Sequence, residues 1–371
     1  MKHRLVHLDC LRGLAALLVV VEHLRAFLFV PFAQLKAPGI LAKGFYLVTG
    51  LGHQAVMIFF VLSGYLVGGS VIGALQSGKW SWREYLLRRM SRLWVVLIPA
   101  LLLTLFWDKL GYAYAPTGYE GAYRELYNSG PTPTGPAEWT IAGFVGNAFF
   151  LQTILVPCFG TNSPLWSLAN EFWYYLLFPL GVTIVVTRRW SARILAIILV
   201  ALMVLFLPKQ ILLGGVIWLL GAAVYFLIRR DGLGKVANHP LCLMLGLALT
   251  LGSLLASRTG RLGEGVDLVI GIGCAVLVAG LASRSSHDPL YGRLSAGMSE
   301  ISYTLYLVHF PLLACLFFVV FHGRQIMPNP LTTLWFAGIL GLTIFYSIFV
   351  WWLFERNTDR VRKWIHARIF N

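Results

Sequence analysis

Residues 5–30 read LVHLDCLRGLAALLVVVEHLRAFLFV. About 20 apolar residues suffice to cross a bilayer as helix, so this run is long enough to span. The short basic start before it (Lys2, Arg4) is that of a secretory signal. The apolar run, however, exceeds the roughly 7–15 residues of a signal core, and it contains Arg12, Glu22 and His23. A cleaved leader has no use for ionisable groups in its apolar segment. The stretch therefore reads as a membrane helix kept in the mature protein.

The rest of the chain repeats that character. Of 371 residues, 58% are apolar and 12% are Asp, Glu, Lys or Arg, against about 25% charged in a soluble domain. Too few charges are present to cover the surface of a water-soluble globule. The alternation of a transmembrane barrel is missing, so helices must satisfy the backbone in lipid. Apolar runs place spans near 5–30, 50–74, 88–108, 165–187, 191–207, 211–229, 239–256, 266–283, 298–322 and 331–354. The expected fold is an all-α polytopic bundle of about ten transmembrane helices, forming a single membrane domain over 1–371. Cys10, Cys158, Cys242, Cys274 and Cys315 show no metal-ligand spacing, and neither a disulfide framework nor a metal site is expected.

The net charge of +15 raises the possibility of nucleic-acid binding. Its distribution argues otherwise. With both termini cytosolic, twenty Lys and Arg fall in inner segments and nine in outer ones, as the positive-inside rule requires. Residues 140–156 would upset this count as a full crossing. About 17 residues is the short limit for a span, so they are read as a re-entrant or interfacial segment on the outer face. The outer loop 109–139 carries Tyr112, Tyr114, Tyr119, Tyr123 and Tyr127. These could stack on sugar faces or form an interfacial aromatic belt.

Ionisable groups inside a bilayer are costly and so suggest function. Arg12 and His23 are eleven residues apart, which brings them to one side of a helix at an axial separation of about 16 Å. A long ligand with an anionic end and a reactive end would touch both; coenzyme A has that shape. Arg12 could instead pair with Asp9 at i−3. Glu171 follows Pro164 at the outer start of the fourth span, and a carboxylate there could orient an imidazole. Ser302, Tyr306 and His309 share one face of the ninth span, as the lining of an acyl cavity or as an interhelical hydrogen-bond cluster. Ser63-Gly64 in the second span suits close helix packing. Arg83, Arg88, Arg89 and Arg92 occupy the inner loop that follows, and Arg89 and Arg92 share a face suited to phosphates or to simple anchoring at the membrane surface.

At these residues the chain resembles the acyltransferase 3 family, membrane O-acyltransferases that modify bacterial surface polysaccharides and related acceptors. Leu8-Asp9-Cys10-Leu11-Arg12-Gly13-Leu14-Ala15-Ala16 through His23 is similar to the family's Arg-x10-His signature. Phe60 to Tyr65, Arg89-Met90-Ser91-Arg92, Pro164 to Glu171 and Ile301 to His309 resemble its further motifs, in the same order. Cys10 and Ser299 stand where many members have Gly, and Phe172 where many have a second Glu. The resemblance implies acyl-coenzyme A as the donor on the cytosolic side, His23 as catalytic residue and Arg12 as its essential partner. It further implies a multi-pass protein of the bacterial inner membrane. The hydrolase-like outer domain of some members has no counterpart in the sequence, which suggests a simpler acceptor or a separate partner protein.

The reading that results is O-acylation, with O-acetylation expected, of a hydroxyl on a carbohydrate or related acceptor at the outer side. Acyl-coenzyme A, expected to be acetyl-coenzyme A, is the donor. Its phosphates go to Arg12, Arg89 and Arg92, while Ser63, Ser302, Tyr306 and His309 line its site. His23 acts as general base with Glu171 orienting it, or forms an acyl-imidazole intermediate. The alternative is a proton-coupled transporter of a lipid-linked glycan or small anion, for which buried His and Glu would form the relay. Transporters often show inverted repeats, and no internal repeat is visible. A non-enzymatic membrane partner of a glycan-assembly complex is the third reading. Oligomeric state leaves no mark on the sequence.

Overall fold

The computed structural model describes residues 5–120, 136–230, 232–257 and 265–369. Among these residues the fold is helical, with two isolated β-bridges in place of strands. In chain order the helices are α1 (Val6–Leu28), α2 (Ile40–Val48), α3 (Gly52–Ser63), α4 (Gly69–Gln76) and α5 (Trp82–Tyr114). They continue as α6 (Ile141–Ala148), α7 (Leu165–Val186), α8 (Trp190–Phe206), α9 (Lys209–Leu227), α10 (Leu233–Asn238) and α11 (Pro240–Ser257). The last are α12 (Val266–Ala282), α13 (Pro289–Val320), α14 (Pro330–Leu353) and α15 (Thr358–Ile369).

Helical segments cover each of the ten expected spans. Seven are long and apolar enough to cross a membrane among the described residues: Ile40–Gln76, Trp82–Tyr114, Leu165–Val186, Lys209–Leu227, Pro240–Ser257, Pro289–Val320 and Pro330–Arg368. Helices α8 and α12 are apolar but shorter, and α1 is set apart by its charged residues. Tyr123 and Tyr127 of the expected outer loop lie outside the described residues.

Several boundaries differ from those expected. Helix α5 begins at Trp82 and runs to Tyr114, so Arg83, Arg88, Arg89 and Arg92 sit on a helix and not in a loop. Its length lets it extend beyond the apolar run at both ends, and Pro99 inside it is tolerated as proline often is in membrane helices. The second span is not one regular helix. A π turn over Gly64–Gly68 joins α3 to α4. Helix α2 was not anticipated; Tyr46 anchors it by donating from its hydroxyl to the Val30 carbonyl at 2.7 Å. Helix α15 was also unforeseen. It packs on the start of α5, where His366 Nε2 lies 3.0 Å from the Glu84 carboxylate.

At 140–156 the chain forms only the eight-residue α6. A helix of that size is about 12 Å long, less than half the hydrocarbon core. Thr140 caps it, accepting from the Gly143 N–H at 2.9 Å. The chain then turns back through Phe150 and Thr153, both at positive φ. Asn147 secures the return, donating to the Pro157 carbonyl at 2.9 Å and accepting from the Phe159 N–H at 3.1 Å.

The helices gather into two compact units. The first comprises α1 up to Arg12, Val56–Ser81 and Asn170–Ala296. Glycines allow its backbones to approach: Gly246 and Gly273 lie against the backbone of the partner helix where α11 and α12 pack. The second comprises α1 from Gly13 to the chain at Ala55, Trp82–Ala169 and the chain from Gly297 onward. Its core is aromatic, with Phe27, Phe29, Tyr119, Phe310, Phe317 and Phe336 buried together.

Candidate active site

His23 lies near the end of α1, and His309 sits two residues before Pro311 within α13. Both are buried, with exposures of 8% and 0%. His23 Nδ1 and His309 Nε2 are 2.8 Å apart. The two rings are inclined by only 10°, so the contact is an in-plane hydrogen bond. Phe310 packs edge-on against His23 at 5.0 Å.

The proton positions follow from what each atom can do. His309 Nδ1 lies 2.9 Å from the Leu305 carbonyl, which only accepts, so Nδ1 carries the proton. In the neutral ring Nε2 is then an acceptor. His23 Nδ1 must therefore donate to it, and the lone pair of neutral His23 falls on Nε2. One backbone carbonyl thus sets the tautomer of two imidazoles in series.

Pro311 contributes to this arrangement. It has no N–H to give to the Leu307 carbonyl one turn back. The Asn162 amide supplies the missing donor at 2.9 Å and also donates to Thr104 Oγ1 at 3.0 Å. Tyr306 donates to the Pro164 carbonyl at 3.0 Å and lies 2.7 Å from Ser167 Oγ. Ser302 turns its hydroxyl to the Ser299 carbonyl at 2.7 Å. The face carrying Ser302, Tyr306 and His309 is therefore a buried, hydrogen-bonded seam.

Glu171 belongs to the first unit. Its carboxylate accepts from the Tyr175 hydroxyl at 3.3 Å, Tyr175 meets Ser63 Oγ at 3.2 Å, and Trp218 donates to Ser63 Oγ at 3.1 Å. The indole can only donate. A consistent assignment sends each proton the same way, from Trp218 through Ser63 and Tyr175 to Glu171. Sequence reading named Ser63 and Glu171 separately and missed Tyr175, which connects them, and Trp218, which donates to Ser63.

Arg12 pairs with Asp9 at 3.5 Å, one turn back on α1. Arg89 and Arg92 lie in the first turns of α5, Arg89 partly buried over the Tyr85 ring at 5.8 Å and Arg92 exposed. Glu22 has a definite partner, since it accepts from the His53 N–H at 3.1 Å at the start of α3. A carboxylate there answers the positive end of the helix dipole.

Asp108 was not singled out from sequence, although a carboxylate at the end of an apolar span is a signal of the same kind as Glu171. It is fully buried. It accepts from the Trp139 indole at 2.9 Å, the Thr161 N–H at 2.8 Å and the Thr161 hydroxyl at 2.6 Å. Asp108 thereby ties α5 to the loop that carries Asn162. Among the described residues no group of three or more His, Cys, Asp or Glu is disposed to hold a metal ion.

A family model described as an acyltransferase domain, Acyl_transf_3, matches residues 5–352. The chain belongs to the acyltransferase 3 family. The match covers both histidines and every candidate site residue named above. An uncharacterized protein of Haemophilus influenzae (strain ATCC 51907 / DSM 11121 / KW20 / Rd) is 27% identical over 157 residues, covering 41% of this chain. The alignment spans 58% of that relative's length. No solved structure matches.

Proposed function

We propose that this protein is a membrane O-acyltransferase that moves an acyl group, expected to be acetyl, from acyl-coenzyme A to an acceptor hydroxyl. His23 Nε2 takes the proton of the acceptor O–H as its oxygen attacks the thioester carbonyl. The C–S bond breaks, and the proton passes to the departing coenzyme A sulfur. The observation that supports this role is the His23–His309 hydrogen bond with the Leu305 carbonyl behind it. It puts the lone pair of neutral His23 on Nε2 and turns the ring by a fixed partner, as a general base needs. Family membership supports the reaction class. An acyl-imidazole on the same nitrogen is the covalent variant of this scheme.

In this reading His309 positions His23 through that hydrogen bond. Arg89 and Arg92 are assigned to the donor's phosphates, which suit guanidinium groups, and Arg12 keeps the role its motif implies. A carbohydrate or related hydroxyl compound at the outer face of a bacterial inner membrane is the acceptor in this reading. The test is release of coenzyme A from acetyl-coenzyme A by purified protein in lipid. Release should vanish in His23→Ala while donor binding persists. Wild-type turnover by a normally folded His23→Ala protein would falsify the assignment.

A further inference from the structure

An apolar groove of about 790 Å³ opens in the first unit between α4, α7 and α9. Its size falls within the roughly 300–1,000 Å³ of ligand sites. Leu75, Phe178, Val182, Leu219 and Phe226 form much of its wall. Two polar groups of the lining, Tyr174 and Trp218, are engaged elsewhere, and Gln76 lies at the exposed end of α4. Tyr174 donates from its hydroxyl to the Ile211 carbonyl at 2.6 Å, and Trp218 donates to Ser63. A Cβ on Gly181, in the wall, would meet nothing within 4 Å. The interior is shaped for hydrocarbon.

The three helices run parallel. Gly64 faces Trp218, Gly68 faces Ala222 and Gly69 faces Tyr225, so α9 follows the second span in the same direction. Gly214 faces Tyr174 and Phe178 packs on Trp218, so α7 does the same. Their C-termini therefore share one end of the groove, the cytosolic end by charge asymmetry. Each terminus leads within three residues into cations: Lys79 after Gln76, Arg188 and Arg189 after Val186, Arg229 and Arg230 after Leu227. The acid beside them in sequence is Asp231. Arg230 lies 4.5 Å over the ring of Phe226, itself part of the wall, which brings a guanidinium to the groove's edge.

We propose that this groove binds an anionic phospholipid of the surrounding leaflet, with an acyl chain between α4, α7 and α9 and the headgroup phosphate at the basic rim. General positive-inside anchoring accounts for the charges alone. It does not account for an open hydrocarbon channel ending at them.

The test uses the purified full chain with phosphatidylglycerol or phosphatidylcholine, following retained lipid by native mass spectrometry. Wild type should retain phosphatidylglycerol in preference. The double variant Arg229→Gln/Arg230→Gln should lower its retention roughly tenfold or more, the size expected of two cations beside an anionic headgroup. Gly181→Leu, which fills the channel and favours helix, should lower retention of both lipids. Equal retention of the two lipids by wild type, or unchanged retention in both variants, would overturn the proposal. So would displacement of the lipid by long-chain acyl-coenzyme A that Gly181→Leu abolishes, since the groove would then belong to the donor.

Discussion

His23 and His309 meet through a single hydrogen bond of 2.8 Å, Nδ1 to Nε2, across 286 residues of sequence. Since Leu305 fixes the proton on His309 Nδ1, His309 presents a lone pair to His23 and nothing else. Loss of a general base typically costs about 10²- to 10⁴-fold in rate, and His23→Ala should fall in that range. His309→Ala should lose less, about tenfold or more, through kcat with donor binding unchanged. His309→Gln should recover part of the loss, because its amide oxygen can accept from His23 Nδ1. The double variant should be no slower than His23→Ala alone. Equal rates for His309→Ala and His309→Gln would sink the tautomer argument. Protonated His23 has no lone pair, so the rate should fall as pH falls, and that dependence should disappear with His23.

The helical frame could be read from the sequence because hydrocarbon length and backbone satisfaction leave few choices. The runs near 165–187 and 331–354 match α7 and α14 almost residue for residue. The π turn at Gly64 could not be read, since it lies where α9 approaches closely, and a single segment does not encode its neighbour. His23 and His309 were each visible as ionisable groups in apolar runs. Their pairing was not, because helical spacing relates residues on one helix and says nothing across 286 positions. Asp108 was legible by the same rule but sat at a span boundary, where a carboxylate reads as facing water.

Asp108 accepts three hydrogen bonds in a fully buried position. Asp108→Ala would leave the Trp139 indole and both Thr161 donors without this acceptor, each costing about 1–3 kcal/mol. Asp108→Asn should be milder. Its amide oxygen can serve Trp139 and the Thr161 N–H, and the Thr161 hydroxyl can rotate to accept from the amide nitrogen. Thermal unfolding in detergent should therefore rank wild type above Asn, and Asn well above Ala. An Ala variant as stable as Asn would show that the loop at Asn162 is held by other contacts.

Glu22 stands next to His23 in sequence but serves the start of α3 through the His53 N–H. Glu22→Gln keeps an acceptor and loses the charge facing the helix dipole, an effect of about 0.3–1 kcal/mol. Coenzyme A release should therefore stay within about twofold of wild type, with a small drop in melting temperature. Gly52 sets the room for this carboxylate, since a Cβ there would run into Glu22. Gly52→Ala should be the more destabilising change. A proton relay through Glu22, as a transporter would use, predicts the opposite order: severe loss of function in Glu22→Gln with stability intact.

Gly64 and Gly221 let α9 approach the second span closely beside its π turn. A Cβ on Gly64 would meet the Trp218 carbonyl, and one on Gly221 would meet the Val61 carbonyl and the Tyr65 N–H. Both obstacles are backbone, so no side chain can swing aside. Gly64→Ala must push α9 away, and overpacking of this kind costs about 1–3 kcal/mol. It should also lengthen the Trp218–Ser63 hydrogen bond, now 3.1 Å, that begins the hydrogen-bond chain toward Glu171. A control is Gly338→Ala on α14, where a Cβ would meet nothing within 4 Å. That change should be neutral or stabilising by up to about 1 kcal/mol from helix propensity. If both variants melt alike, the close approach of α9 is not what holds this packing. If Gly64→Ala alone melts early, helix contact accounts for the glycine in Ser63-Gly64.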